Sequence, residues 1–406
     1  MSIKPAPPLS RRARIIPASP IRKLVPLAED AKRRGIHVYH LNIGQPDIAT
    51  PEEFFNAVRG FDEKVIAYKN SQGLAEFIDS MIGYYGRIGI TLSKENIVIT
   101  TGGSEALMFA IMAVAEPGDE VIVFEPFYTN YNGFAIMAGV TLVPIATDPE
   151  SGYHLPPRHE IERHITDRTR AIMICNPNNP TGTVLTSGEL ELLSGLAVQH
   201  NLFVLSDEVY REFVYEGETK SMLMMEGVED RVIVLDSLSK RYSLCGGRVG
   251  CVVSRNTELM ESVLRFGQAR LCTATLEQVG GAALVNTGDT YIAPMIDEYR
   301  ARRDATYEEL MKIPGIVCQK PSGAFYIMAK LPVDDIEAFA RWMLTDFSHD
   351  SKTTMIAPGP GFYATAGKGN QEARIAYVLN TEDCRLAIQL LARGIREYNN
   401  AQGIES

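Results

Sequence analysis

The chain has 406 residues, 45% of them hydrophobic, a formal net charge of −10 and a mean hydropathy of −0.05. That length holds a large core and a second, smaller domain, and the composition is that of a soluble globular enzyme. An acidic balance with interspersed charges argues against a nucleic-acid partner. The lack of a long apolar run or an apolar N-terminal segment argues against a membrane or export route.

The N-terminal residues 5–20 read as a proline-bearing arm. Its short basic run (Arg11, Arg12, Arg14, then Arg22 and Lys23) suits solvent or a second copy of the chain. From residue 96, β-branched runs alternate with helical patterns. The reading gives a strand at 96–101, a helix at 104–115 stopped by Pro117-Gly118-Asp119, a strand at 120–124, a helix to about Met137 and a strand at 140–145. Strands at 170–175, 202–206, 232–236 and 248–253 follow, and Thr186-Ser-Gly-Glu189 forms a capping box for the helix before residue 202. The alternation predicts an α/β fold with a mostly parallel sheet covered on both faces. Beyond about residue 290 the pattern changes to a helix at 291–312, a strand at 323–330, a helix at 333–347, strands at 353–357 and 373–379, and a terminal helix from about Thr381. This suggests a smaller α+β domain completed by the N-terminus. The expected division is 1–45 for the arm and part of the small domain, 46–290 for the large domain, and 291–406 for the small one.

Six scattered cysteines without a CxxC pair suggest reduced thiols and a cytoplasmic location. Seven histidines without metal-ligand spacing make a metal site unexpected.

Polar motifs fall at four strand ends: Thr101-Gly-Gly-Ser104, Asn176-Pro-Asn-Asn-Pro-Thr-Gly182, Asp207-Glu-Val-Tyr210, and Ser237-Leu-Ser-Lys240. In an open α/β sheet ligands bind beyond the carboxyl ends of strands, so the four make one composite site. Lys240 lies close to Arg248, and a lysine near another cation has a depressed pKa and a nucleophilic amine. Serines and Arg248 suit a phosphate. A lysine for an aldehyde and an arginine for a phosphate together suggest pyridoxal phosphate.

Gly103 and Ser104 open a helix whose free N–H groups can hold a phosphate, although a tight strand–helix turn explains the glycines equally well. Asp207 closes an apolar strand, where a carboxylate needs a cation such as a protonated pyridine nitrogen; a helix N-cap is the simpler alternative. Tyr210 and Asn179 could bond the cofactor's phenolic oxygen. Tyr128 could lie on its ring or serve as core. Arg374 leads an apolar strand and needs an anion, either a substrate or a structural carboxylate.

The motifs NPNNPTG, SDEVY, SLSK and GGRVG together resemble those of fold-type I, class I aminotransferases of the aspartate aminotransferase superfamily, bacterial members in particular. The likeness runs from Asn42-Ile-Gly44 to Arg374–Leu379. It implies a pyridoxal 5′-phosphate enzyme in which Lys240 forms the Schiff base and acts as general base, and Asp207 pairs with the ring nitrogen. Asn179 and Tyr210 would contact the phenolic oxygen, while Gly103, Ser104, Ser237 and Arg248 would hold the phosphate. Arg374 would grip the substrate α-carboxylate beneath the backbone of Gly44. Tyr68 would reach the phosphate of the neighbouring subunit in a homodimer. The implied reaction moves an amino group from an L-amino acid, aspartate favoured, to a 2-oxo acid such as 2-oxoglutarate. Some aspartate-type relatives carry a lysine where this chain has Ser104, so a distal carboxylate needs another cation. Arg270, from across the dimer interface, is the first candidate and Arg22 the second. Alanine or aromatic aminotransferases and carbon–sulfur β-lyases share the motifs. An effector-binding module of a transcription regulator is disfavoured, since only about 40 residues precede Gly44.

Overall fold

The computed structural model describes residues 6–404 other than Thr219 and Asn286, and for Asp289 the backbone only. Strand β1 (His37–His40) precedes a seven-stranded sheet built from β2 (Ile97–Thr100), β3 (Glu120–Glu125), β4 (Thr141–Ala146), β5 (Thr169–Cys175), β6 (Phe203–Asp207), β7 (Val232–Ser237) and β8 (Gly250–Val253). The order across the sheet is β2-β8-β7-β6-β5-β3-β4. All its pairings are parallel except the two that β8 makes.

Side chains alternate across a strand, and here both faces are apolar. Ile97, Ile99, Val232 and Val234 join one core, while Val98, Ile233 and Leu235 join another. Helix Ala75–Arg87 (Phe77, Ile78, Met81) and helix Ser187–Gln199 (Leu190, Leu193) cover the first face. Helices Gly102–Val114 and Thr257–Arg270 cover the second. The capping box of Thr186 and Glu189 is present in both directions.

Because β8 runs antiparallel, it begins where β2 and β7 end. Gly250 pairs with Thr100 on one side and with Ser237 on the other. The Gly102 turn, the Lys240 turn and Arg248 therefore meet at one place. A Cβ on Gly250 would lie 2.6 Å from the Asp236 carbonyl oxygen and 2.7 Å from the Gly102 carbonyl carbon. Backbone cannot yield as a side-chain tip does, so Gly250→Ala should cost about 1–3 kcal/mol. A thermal melt should show a Tm lower by several degrees; an unchanged Tm would contradict this close packing.

The remaining strands form two small sheets. β9 (Tyr326–Lys330), β11 (Ala357–Pro358) and β12 (Glu372–Ala376) are antiparallel, and β10 (Lys352–Met355) pairs parallel with β1. Their core joins Leu24, Ala28 and Ala31 to Phe339 and Met343 of helix Ile336–Thr345, and to Ile388 and Leu391 of helix Thr381–Gln402.

Several expected bounds move. The strand read as 248–253 starts at Gly250, because Arg248 has a left-handed φ of +50°. The strand read as 353–357 is two strands with different partners, and that at 373–379 ends at Ala376. The helix expected from Ser104 starts at Gly102.

Candidate active site

A cleft of about 680 Å³ opens at the carboxyl ends of the central strands, with the N-terminal arm and β9 and β12 contributing to its walls. Lys240, Asp207, Tyr210, Asn179, Tyr128 and Arg374 line it, as do Gly44, Gly103, Ser104, Ser237 and Arg248.

Lys240 lies in the four-residue helix Leu238–Arg241 that follows β7. Its Nζ donates to the Gly44 carbonyl at 2.7 Å and lies 3.7 Å from Cys245 Sγ. Among the described residues no Asp or Glu pairs with it. Burial lowers its pKa; Cys245 opposes that, and the Arg374 and Arg248 cations add to it. A neutral amine is thus less costly here than for a lysine in water.

Asp207 ends β6 and is surrounded by protein except where it meets the cleft. It accepts from Tyr131 Oη at 2.9 Å and from the Val209 N–H at 3.3 Å, and caps no helix. Burial pushes its pKa up to about 6, and no cation among the described residues pairs with it.

Arg374 is 1% exposed on β12. Its Nη1 donates to Asn179 Oδ1 at 3.0 Å and its Nη2 to the Asn42 carbonyl at 2.6 Å, whereas Nε has no partner. It stacks over Tyr326 at 4.5 Å and Phe362 at 5.0 Å. A structural salt bridge, one of the two readings of this arginine, does not form among the described residues. A buried guanidinium without an acid is an anion site in waiting.

Arg248 donates to the Cys245 carbonyl at 3.1 Å and to Ser104 Oγ at 3.5 Å, and it too lacks an acid among the described residues. Gly102 has φ +71°, and a Cβ there would meet Arg248 Nη2 at 2.7 Å. The tight-turn reading of the glycines holds, and the turn is also what lets the guanidinium approach the helix N-terminus. Ser237 Oγ is already engaged, donating to the Val249 carbonyl at 2.9 Å and sharing a 2.7 Å bond with Ser239 Oγ.

Asn179 joins the two halves of the cleft, because its Nδ2 donates to Tyr210 Oη at 3.3 Å while its Oδ1 receives Arg374. Tyr210 Oη also shares a 2.8 Å bond with Tyr326 Oη. Burial raises the pKa of Tyr210 well above its usual value, so it stays a phenol and a donor. Tyr128 Oη accepts from Asn130 Nδ2 at 2.7 Å.

The chain matches the family "Aminotransferase class I and II" over residues 36–389. It is 31% identical to the aspartate aminotransferase of Musicola paradisiaca, over 91% of this chain and 92% of that one. Among solved structures, an alanine aminotransferase from Pyrococcus furiosus superposes with a TM-score of 0.87 at 30% identity, covering 96% of this chain and 100% of that one. The aspartate aminotransferase of Thermus thermophilus, solved with maleate, gives a TM-score of 0.86 at 27% identity, with 96% and 100% covered.

The chain belongs to the class I and II aminotransferases.

Its architecture is that of the fold-type I transferases, and its activity is transamination. Two residues expected at the site stand apart from this aminotransferase's own cleft. Tyr68 is 80% exposed. Arg270 pairs with Glu105 at 3.2 Å and donates to the Ile99 carbonyl at 3.0 Å. Arg22 lines the cleft and forms no ion pair among the described residues. Tyr326 escaped the sequence reading, yet it explains Gly44: a Cβ on Gly44 would lie 1.8 Å from Tyr326 Oη. Tyr131, the donor to Asp207, was also missed. No local signal marks either tyrosine, since each acts on a residue far away in the chain.

Proposed function

We propose that the cleft holds pyridoxal 5′-phosphate and moves the amino group of an L-amino acid, aspartate preferred, to a 2-oxo acid such as 2-oxoglutarate. One observation carries this reading. Among the described residues, Lys240, Arg248 and Arg374 line a single cleft with no acid paired to any of them, and Asp207 lines it with no cation.

Each deficit fits one group of the cofactor or the substrate. Arg248 and the N-terminal N–H groups of Gly103 and Ser104 would hold the phosphate, with Ser237 beside them. Asp207 would ionise against a protonated ring nitrogen, which offsets the cost that burial imposes on its charge. Tyr210 and Asn179 would hold the phenolic oxygen, and Tyr128 would cover a ring face. When bound, the cofactor supplies an aldehyde carbon that takes up the amine and a ring that accepts the electron pair of the α-carbon. Lys240 Nζ would act as the general base that takes the substrate α-proton and as the acid that gives it back. Arg374 grips the α-carboxylate in a bidentate fork and so orients the bond to be broken.

An aspartate donor carries a second carboxylate. Arg22, on the arm, lines the cleft and has no ion-pair partner among the described residues, whereas Arg270 would first have to release Glu105. The dicarboxylate maleate in the Thermus enzyme supports such a subsite. One charge-assisted hydrogen bond is worth about 1.5–3 kcal/mol, so Arg22→Gln should lower kcat/KM for aspartate by roughly 10- to 150-fold and leave alanine nearly unchanged. Equal losses for both donors would overturn this role.

A second copy would cover the exposed Val65, Ile66, Tyr68 and Leu271, bringing Tyr68 toward the partner's phosphate. The cytoplasm suits the six cysteines, which form no disulfide. No helix among the described residues is long and apolar enough to cross a membrane.

The test is a panel of half-reactions. Protein loaded with pyridoxal phosphate is mixed with each amino acid, and the loss of visible absorption is timed. Rapid bleaching by aspartate with release of the matching oxo acid is expected. Pyruvate and ammonia released from cystathionine without an oxo acid would favour a β-lyase instead.

A further inference from the structure

A buried ionic lattice underlies the Lys240 turn, and the chemistry above makes no use of it. Asp236, fully buried on β7, receives Arg211 Nη1 at 3.1 Å, Tyr85 Oη at 2.9 Å, the Ser237 N–H at 2.7 Å, and Arg241. Arg211 also pairs with Glu208 at 2.9 Å and donates to Tyr84 Oη at 3.0 Å. Glu208 accepts in turn from Ser206 Oγ at 2.9 Å, and from Ser221 Oγ and the Met222 N–H, each at 3.0 Å. Arg241 stacks on Tyr84 at 4.1 Å, and among the described residues Asp236 is its one acidic partner. Two carboxylates and two guanidiniums are thus sealed in protein, and none of the four lines the cleft.

Four buried charges stabilise a fold little better than an apolar plug of equal size. What they add is direction, since each bond fixes an angle that apolar contact leaves free. The members are immediate neighbours of cleft residues: Glu208 follows Asp207, Asp236 precedes Ser237, and Arg241 follows Lys240. Through Tyr84 and Tyr85 the lattice also ties these segments to helix Ala75–Arg87.

We propose that this lattice, centred on Asp236, is a positioning device that fixes Lys240, Asp207 and Ser237 relative to one another. The inference rests on the reading that Lys240 carries the cofactor. A displacement of about 1 Å in a catalytic group can cost on the order of 10²-fold in rate, so the geometry that holds the lysine has a kinetic consequence.

The test separates positioning from stability. Asp236→Asn leaves Arg241 buried without an acid. The double variant Asp236→Asn/Arg241→Met removes the orphaned cation as well. The expected result is that the double variant regains most of the Tm lost by Asp236→Asn, while its kcat stays at least about 10-fold below wild type with KM little changed. A second readout needs no cofactor. In the full-length apoprotein, competitive acetylation of Lys240 is followed by mass spectrometry across pH. Its midpoint reports the groups that face the amine, namely Cys245, Arg374 and Arg248. That midpoint should move in the double variant. Tyr85→Phe removes one bond and no charge, and carries the same labelling readout should the charged variants fail to fold. Recovery of kcat together with Tm, or an unmoved labelling midpoint, would overturn the proposal. Wild-type protein that takes up no cofactor would overturn the underlying reading instead, while the labelling result would still stand.

Discussion

Lys240→Ala should abolish turnover while leaving the fold intact. The loss of a general base alone is worth about 10²–10⁴-fold, and in the proposed reading this lysine would also anchor the cofactor, so activity should fall below detection. Stability should change little. Among the described residues the amine has no acidic partner to orphan, and its bonds go to a carbonyl and a thiol. Steady-state rates with aspartate and 2-oxoglutarate, alongside a thermal melt, check both halves. A variant that kept near-normal rates would remove Lys240 from the chemistry. A variant that lost rate only because it unfolded would show it in the melt.

Arg374→Met is the second large effect, and its two readouts should move in different directions. Two charge-assisted hydrogen bonds to a carboxylate are worth about 3–6 kcal/mol together, which corresponds to roughly 10²- to 10⁴-fold in kcat/KM for every amino acid donor. Tm should hold or rise, because the substitution removes a buried cation whose partners are neutral: the Asn179 amide and the Asn42 carbonyl. A structural role would give the reverse pattern, with a marked fall in Tm and a modest loss of kcat/KM. Because the α-carboxylate is common to all donors, the loss should not depend on the side chain. That uniformity distinguishes Arg374 from Arg22, whose loss should appear only with dicarboxylic donors.

Much of this site was legible because the strands that carry it are buried on both faces. Val232–Leu235 and Ile97–Ile99 have no polar residue to blur them, so the polar motifs that follow mark the strand ends. The bounds failed where pairing decides them. Tyr377 and Val378 continue the apolar pattern of β12, but the ladder with β9 stops at Ala376 opposite Tyr326. Arg248 looked like the start of a strand because Val249 follows it, yet its backbone turns left-handed before the sheet begins.

Helix Ala75–Arg87 was readable and went unread. Phe77, Ile78, Met81, Tyr84 and Tyr85 follow a helical spacing, and two of these residues bond the lattice beneath Lys240. Tyr326 was not readable. Its partner Tyr210 lies 116 residues earlier, and within its own segment it looks like one more buried aromatic. Asp236 falls between these cases. A lone acid at the end of an apolar strand signals a buried partner, but only the fold supplies Arg211 and Arg241.

The most direct measurement is to fix the cofactor to the protein and find where it is attached. The chain is incubated with pyridoxal 5′-phosphate, reduced with borohydride, digested and mapped by mass spectrometry. The cofactor's mass should appear on the peptide bearing Lys240 and on no other, and prior incubation with aspartate should suppress it. Label on an exposed lysine such as Lys94 or Lys320, or no label at all, would contradict the assignment of this cleft.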